Sequence, residues 1–233
     1  MNGYSLSDRL RDRIRREGPL RFDAFQEAAL YDPEGGYYEK PGRVGRPGDF
    51  VTGASWHPAF ARCLVRLVSR LADEIVPPVD VVDVGAGEGE LLGFLSGAQP
   101  EDLSLRLVGV EASGVRRSAA AARVPQARFV GSVGDLPDGL DGLVVAYELF
   151  DALPVRALRL LEDGSLCERR VGNSVDGGFE WSDAHCSDGP ELLAELARRG
   201  AFLEPGQILE VRPGATALAR AIGARLARGI LLV

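Results

Sequence analysis

The sequence predicts an α/β fold: a doubly wound, mostly parallel sheet, with a helical N-terminal region and an inserted β-hairpin. Three observations predict it. Short Val/Leu-rich runs recur at 79–85 (VDVVDVG), 105–111 (LRLVGVE), 127–131 (ARFVG) and 143–148 (LVVAYE). Ala- and Arg-rich segments of helical length separate them, the pattern of βαβ units whose strands are buried on both faces. A glycine-rich turn directly follows the first run, where right-handed crossovers place the ligand-facing end of such a sheet.

The elements follow in order. Residues 5–17, SLSDRLRDRIRRE, put Leu6, Leu10 and Ile14 on one helical face, and Gly18-Pro19 stops that helix. Its acids Asp8, Asp12 and Glu17 argue against an acid-poor transit peptide. Phe22, Phe25, Ala29 and Leu30 form a second apolar stripe, broken at Asp32-Pro33. The Gly- and Pro-rich residues 36–54 are expected to form a lid-like loop that closes on a bound ligand. A helix from about Pro58 to Glu74 buries Phe60, Leu64, Leu67, Val68 and Leu71. Pro77-Pro78 marks a boundary, so the sequence divides into a helical region, 1–75, and an α/β domain, 76–233, with an insertion at about 155–205. Within the insertion, strand-like runs flank Glu162-Asp163-Gly164, a hairpin signal. Helices are expected from Pro190 to Gly200 and over 216–228, and GILLV (229–233) reads as a fifth buried strand.

Composition narrows the function. The chain of 233 residues is 45% hydrophobic and 26% charged, ordinary globular chemistry. No apolar run reaches the roughly 18–20 residues of a membrane span, so no membrane partner is expected. A net charge of −7 argues against nucleic acid, which needs clustered positive charge. Cys63, Cys167 and Cys186 are too scattered for a disulfide framework and fit reduced thiols in a cytoplasmic compartment. His57 and His185 lie in no metal-ligand spacing, so no metal site is expected.

The turn after the first run reads Asp83-x-Gly85-x-Gly87-x-Gly89. Glycines there let the backbone approach a ligand closely, and the following helix N-terminus favours an anionic group. A dinucleotide fingerprint needs its third glycine three positions after the second, where this chain has Glu90. The G-x-G-x-G spacing is instead similar to S-adenosyl-L-methionine (SAM) sites, with purely structural glycines as the alternative. The second strand ends at Glu111, 22 residues after Gly89, where a carboxylate can accept both ribose hydroxyls. After the third strand, Ser132 and Asp135 lie in a turn that could flank an adenine, though a plain turn aspartate fits nearly as well.

The fourth run leads into Glu148-Leu149-Phe150-Asp151-Ala152-Leu153-Pro154, at the same end of the expected sheet. Methyl transfer is an in-line displacement whose acceptor must present a lone pair. A carboxylate can orient and polarise a cationic acceptor and take its proton, and alignment lowers the barrier further. Glu148 and Asp151 are therefore the candidate catalytic residues; the alternative is that Asp151 caps the next segment and Glu148 meets only water.

Taken together, ALYDPEGGYYEK (29–40), GRPGDFVTG (45–53), VVDVGAGEGELL (81–92), GVEAS (109–113) and YELFDALPVR (147–156) resemble the MidA family. Its members are class I (Rossmann-like) SAM-dependent methyltransferases and include the mitochondrial complex I assembly arginine methyltransferase. The resemblance implies that Asp83, Gly85, Gly87 and Glu111 bind SAM, that the Gly48-Asp49-Phe50 loop folds over that site, and that Glu148 and Asp151 face the acceptor. Two departures fall on the acceptor side. Tyr147 stands where the family usually has Asn, and Gly53-Ala54-Ser55-Trp56-His57 replaces the usual A-P-E-I-S. The resemblance implies a sixth and seventh strand after GILLV; if the chain is truncated there, the fifth strand becomes an exposed apolar edge that invites a homodimer.

Three functional readings result. The first is a SAM-dependent methyltransferase acting on a protein, at arginine. The second methylates a small molecule in an apolar pocket shaped by Tyr147, Trp56 and the 155–181 hairpin. The third is a non-catalytic assembly or scaffold protein on a methyltransferase fold.

Overall fold

The computed structural model describes residues 4–40 and 53–233, with the side chains of Ser55 and Trp56 excepted. The chain runs through α1 (Leu6–Glu17), β1 (Leu20–Arg21), α2 (Phe22–Tyr31), α3 (Gly53–Trp56), α4 (Ala59–Leu71), β2 (Val79–Val84) and α5 (Glu90–Ala98). It continues through β3 (Leu105–Val110), α6 (Gly114–Arg123), β4 (Arg128–Val130), β5 (Leu140–Val145), β6 (Arg156–Leu160), β7 (Leu166–Asn173) and β8 (Phe179–His185). It finishes with α7 (Gly189–Arg198), β9 (Ile208–Val211), α8 (Pro213–Arg225) and β10 (Leu226–Leu232). Two compact units divide it: Met1–Tyr37 with Leu153–Gly214, and Tyr38–Ala152 with Ala215–Val233. The N-terminal helices thus share a unit with the segment that the sequence marks as an insertion.

The second unit holds the predicted sheet. Its strand order is β10-β5-β2-β3-β4 and every pair is parallel. Alternation explains its two cores. On one face, Val79, Val81, Leu107, Leu143 and Val145 pack with Leu64 and Val68 of α4 and Leu92 and Leu95 of α5. On the other, Val82, Val84, Val108, Val110 and Val144 pack with Leu136, Leu140 and Ile222 of α8. Asp80, buried on β2, is held by Arg106 on β3 (Nη2 to Oδ2 2.7 Å) and by the Asp141 backbone N–H (2.9 Å). The order reverses between β2 and β5, which places the switch-point crevice at their carboxyl ends.

Of the two expectations for the last strand, the buried one needs correcting: among the described residues β10 lies at the sheet edge, pairs only with β5, and is exposed over Ala227–Gly229. It begins three residues earlier than GILLV, at Leu226.

The first unit is built on an antiparallel sheet, β1-β7-β6-β9, with β8 along the other side of β7. The expected hairpin is β6–β7, closed by Leu161 N–H to Ser165 O at 2.8 Å, with Gly164 at φ 80° in its turn. Leu158, Leu160, Leu166 and Cys186 form a core with Leu192 and Leu193 of α7. The α1 stripe behaves as its spacing predicts: Leu10 and Ile14 are buried with Leu20, against Phe25 and Phe179. Ser5 caps α1 reciprocally with Asp8, accepting the Asp8 N–H at 3.2 Å while Asp8 accepts the Ser5 N–H at 3.0 Å.

Candidate active site

The carboxyl ends of β2, β3 and β5 converge because Asp83 pairs with Gly109 on one side and Val145 on the other. Gly85, Gly87 and Gly89 all have positive φ (83°, 56° and 81°), so the sequence's glycines answer a backbone requirement. Their surroundings differ. A Cβ on Gly89 would lie 3.2 Å from the Ala120 Cβ of α6, so this glycine also serves helix packing. A Cβ on Gly87 would meet nothing within 4 Å, and its backbone borders open space at the mouth of the crevice.

Glu111, at the end of β3, is nearly buried and reaches across to that turn. Its Oε2 accepts the Gly87 N–H at 2.9 Å and its Oε1 accepts the Ser113 N–H at 2.9 Å. Each oxygen keeps a second lone pair, as a ribose diol requires. Burial pushes the Glu111 pKa up and Glu39 adds to the rise, against the Ser113 and Gly87 N–H groups and the Arg116 guanidinium. Asp83 is buried and its carboxyl makes no hydrogen bond among the described residues. Burial, then the charges of Glu111 and Glu90, push it up to about 7.

Ser132 and Asp135 lie on the turn after β4. Asp135 Oδ2 accepts both the Ser132 N–H and its hydroxyl at 2.9 Å, capping the Val133–Asp135 turn. These are the contacts of a turn aspartate, the alternative weighed for Asp135 against an adenine contact. Gly48 and Asp49 lie outside the described residues.

Glu148 and Asp151 both follow β5 and both are exposed. Glu148 is the one non-glycine residue with positive φ among the described residues, at 50°. That conformation costs roughly 1 kcal/mol or more and is typical of functional turns. Tyr147 packs its ring 4.8 Å from Phe60 of α4, and burial raises its hydroxyl pKa with the Glu148 carboxylate adding to it. Asp151 likewise contributes to the raised pKa of Tyr38, after burial. The two departures from the family pattern meet here: a Cβ on Gly53 would stand 2.8 Å from the Tyr147 hydroxyl oxygen. Tyr147 uses the space that any larger residue at position 53 would need.

Sequence reasoning missed a third group. Ser113, Arg116, Tyr38 and Glu39 gather behind Glu111; the Ser113 hydroxyl donates to Glu39 Oε2 at 2.8 Å, and the Arg116 guanidinium lies 5.0 Å from the Tyr38 ring centre. The signal was the YYEK end of the specific 29–40 string. Among the described residues no group of His, Cys, Asp or Glu could hold a metal. No helix there is long and apolar enough to cross a membrane.

A doubly wound sheet with a glycine turn and an acid hydrogen-bonded to it at the switch point defines a nucleoside-binding α/β protein of the class I methyltransferase fold. Residues 59–233 match the family described as “Putative S-adenosyl-L-methionine-dependent methyltransferase”, and the chain belongs to it. A superfamily member from Burkholderia thailandensis solved bound to S-adenosyl-homocysteine is 30% identical, with a TM-score of 0.82 over 97% of this chain and 61% of that one. A native crystal structure from the same organism gives 31% identity and a TM-score of 0.76, over 97% and 60%. The protein arginine methyltransferase NDUFAF7 homolog, mitochondrial, of Drosophila melanogaster is 30% identical over 218 residues, 76% of this chain and 47% of its own length. The Xenopus laevis protein arginine methyltransferase NDUFAF7, mitochondrial, is 24% identical over 192 residues, 69% of this chain and 44% of its own. The chain thus spans about half the length of these curated relatives.

Proposed function

We propose that this protein is a SAM-dependent methyltransferase whose acceptor is a protein arginine. The observation that carries the cofactor assignment is Glu111, buried, hydrogen-bonded to Gly87 N–H and still able to accept two hydroxyls. Gly87 opens onto free space beside it, and Asp83 offers a buried carboxyl to a cationic group. SAM, when bound, supplies a methyl group on a sulfonium. In this reading Asp83, Gly85, Gly87, Gly89 and Glu111 hold it, with Ser132 and Asp135 beside the adenine. Glu148 and Asp151 then align the acceptor guanidinium, favour its positive charge and accept its proton.

Arginine is supported by the names of the curated relatives and by the exposed Glu148 carboxylate beside Tyr147, whose ring lies 4.8 Å from that of Phe60, a setting that suits a planar cation. Labelled SAM with an arginine-containing protein extract, followed by mass spectrometry of the methylated residue, tests it. Label on arginine supports the reading; label on a small molecule alone contradicts it. For the compartment we propose the cytoplasm, on the three free thiols, and fractionation checks it against the mitochondrial location in the relatives' names.

A further inference from the structure

The Tyr38–Glu39 segment is unused by the reading above, yet it is docked on the turn that carries the ribose acid. Both of its residues make contacts there. The Ser113 hydroxyl, on a residue only 3% exposed, donates to Glu39 Oε2 at 2.8 Å. The Arg116 guanidinium lies 5.0 Å from the Tyr38 ring centre. Arg116 is 8% exposed, and its buried Nε has no hydrogen-bond partner among the described residues. A buried cation in that state depends on its aromatic neighbour and nearby carboxylates. The same Ser113 whose hydroxyl meets Glu39 gives its backbone N–H to Glu111 Oε1 at 2.9 Å. One residue therefore links the segment to the candidate cofactor ligand.

We propose that Glu39 is a positioning residue of the cofactor site, fixing through Ser113 the turn that aims Glu111, so that docking of the Tyr38–Glu39 segment and nucleoside binding are energetically coupled. The coupling is reciprocal: whatever docking adds to cofactor affinity, bound cofactor adds to docking. The inference rests on the assignment of Glu111 as the ribose ligand.

Charge makes the coupling measurable. The groups acting on Glu111 are Glu39, which raises its pKa, and Arg116 with the Ser113 and Gly87 N–H groups, which lower it. Arg117 donates to the Glu111 backbone carbonyl at 2.7 Å, and Asp83 is the neighbouring acid. Removing the Glu39 charge lowers the Glu111 pKa, so Glu111 stays ionised further into acid.

The experiment is calorimetric titration of the full chain with S-adenosylhomocysteine from pH 5 to 8.5, on wild type, Glu39→Gln, Glu39→Ala and Glu111→Gln. Glu39→Gln keeps an acceptor for the Ser113 hydroxyl. It is expected to bind within about threefold of wild type at pH 8, with its acid-side loss of affinity moved to lower pH. Glu39→Ala is expected to bind about 5–10-fold more weakly at pH 8, the effect of one lost charge-assisted hydrogen bond. A structural role alone would lower Tm and leave the pH profile in place. The proposal is overturned if Glu39→Gln superposes on the wild-type profile. Should Glu39→Ala fail to fold, the Glu39→Gln profile decides. Undiminished binding by Glu111→Gln defeats the ribose assignment itself, a result distinct from any outcome at Glu39.

Discussion

Asp83→Asn isolates the cost of holding a carboxyl ready in the crevice. Asp83 is buried without a hydrogen bond among the described residues, and its pKa is pushed from 3.8 up to about 7. The folded protein therefore binds a proton more tightly than the unfolded chain. Between those values the unfolded state carries fewer protons, so stability falls as pH rises. The difference corresponds to about 4 kcal/mol when the group is fully ionised. Asn has nearly the same shape and no charge; burying its amide offsets part of the gain, leaving about 2–4 kcal/mol. Near pH 4 the two proteins should unfold at similar temperatures. At pH 8, without cofactor, the variant should melt roughly 5–15 °C higher. Thermal unfolding followed by circular dichroism across this range measures the effect. Parallel stability curves for the two proteins would refute the reasoning, because the pH-dependent penalty could then not belong to Asp83. The same substitution should weaken S-adenosylhomocysteine binding at least about tenfold, if the carboxyl serves a cationic group.

Other residues give independent tests. Glu148→Gly should relieve the φ 50° conformation and stabilise the fold by about 1 kcal/mol while abolishing methyl transfer, read from Tm and from labelled SAM incorporation. Gly53→Ala should be harmful beside Tyr147 and nearly neutral in a Tyr147→Asn background, a coupling measured by a double-mutant cycle on Tm. Gly109→Ala should cost about 2 kcal/mol or more, since its Cβ would stand 2.4 Å from the Phe129 ring, and chemical denaturation measures it. Arg156→Ala removes the partner that reaches Glu168 at 2.8 Å and Asp188 at 2.7 Å. With Glu168 5% exposed, about 3 kcal/mol should be lost, near the low end for a broken buried pair because Arg21 remains 3.6 Å away.

Local patterns carried most of the second unit into view. The runs at 79–85, 105–111 and 127–131 hold β2, β3 and β4, since Val/Leu-rich runs between helical segments have few other solutions in a parallel sheet, whereas β5 is Leu140–Val145, so the run at 143–148 begins three residues late and ends in the turn beyond the strand. The glycine turn after β2 and the strand end before Glu111 were legible because turn chemistry and strand-end position are fixed by adjacent residues. The antiparallel sheet of the first unit was only half legible. The β6–β7 hairpin has a local turn, whereas β1 pairs Leu20 with Val171 and β9 pairs Val211 with Arg156, contacts that no local signal announces. The same reason hid Glu39, which meets Ser113 far along the chain, and the fit of Tyr147 over Gly53. The final apolar run was read as buried because composition reports hydrophobicity and not a strand's place in the order; β10 lies at the edge.

The most direct test of the central claim is isothermal titration of S-adenosylhomocysteine into the wild-type chain and Glu111→Ala at pH 8. Micromolar binding by wild type, lost in the correctly folded variant, is the expected result. Equal affinity in the two, or no binding by folded wild type, would contradict a nucleoside site built on Glu111 at the carboxyl ends of β2 and β3.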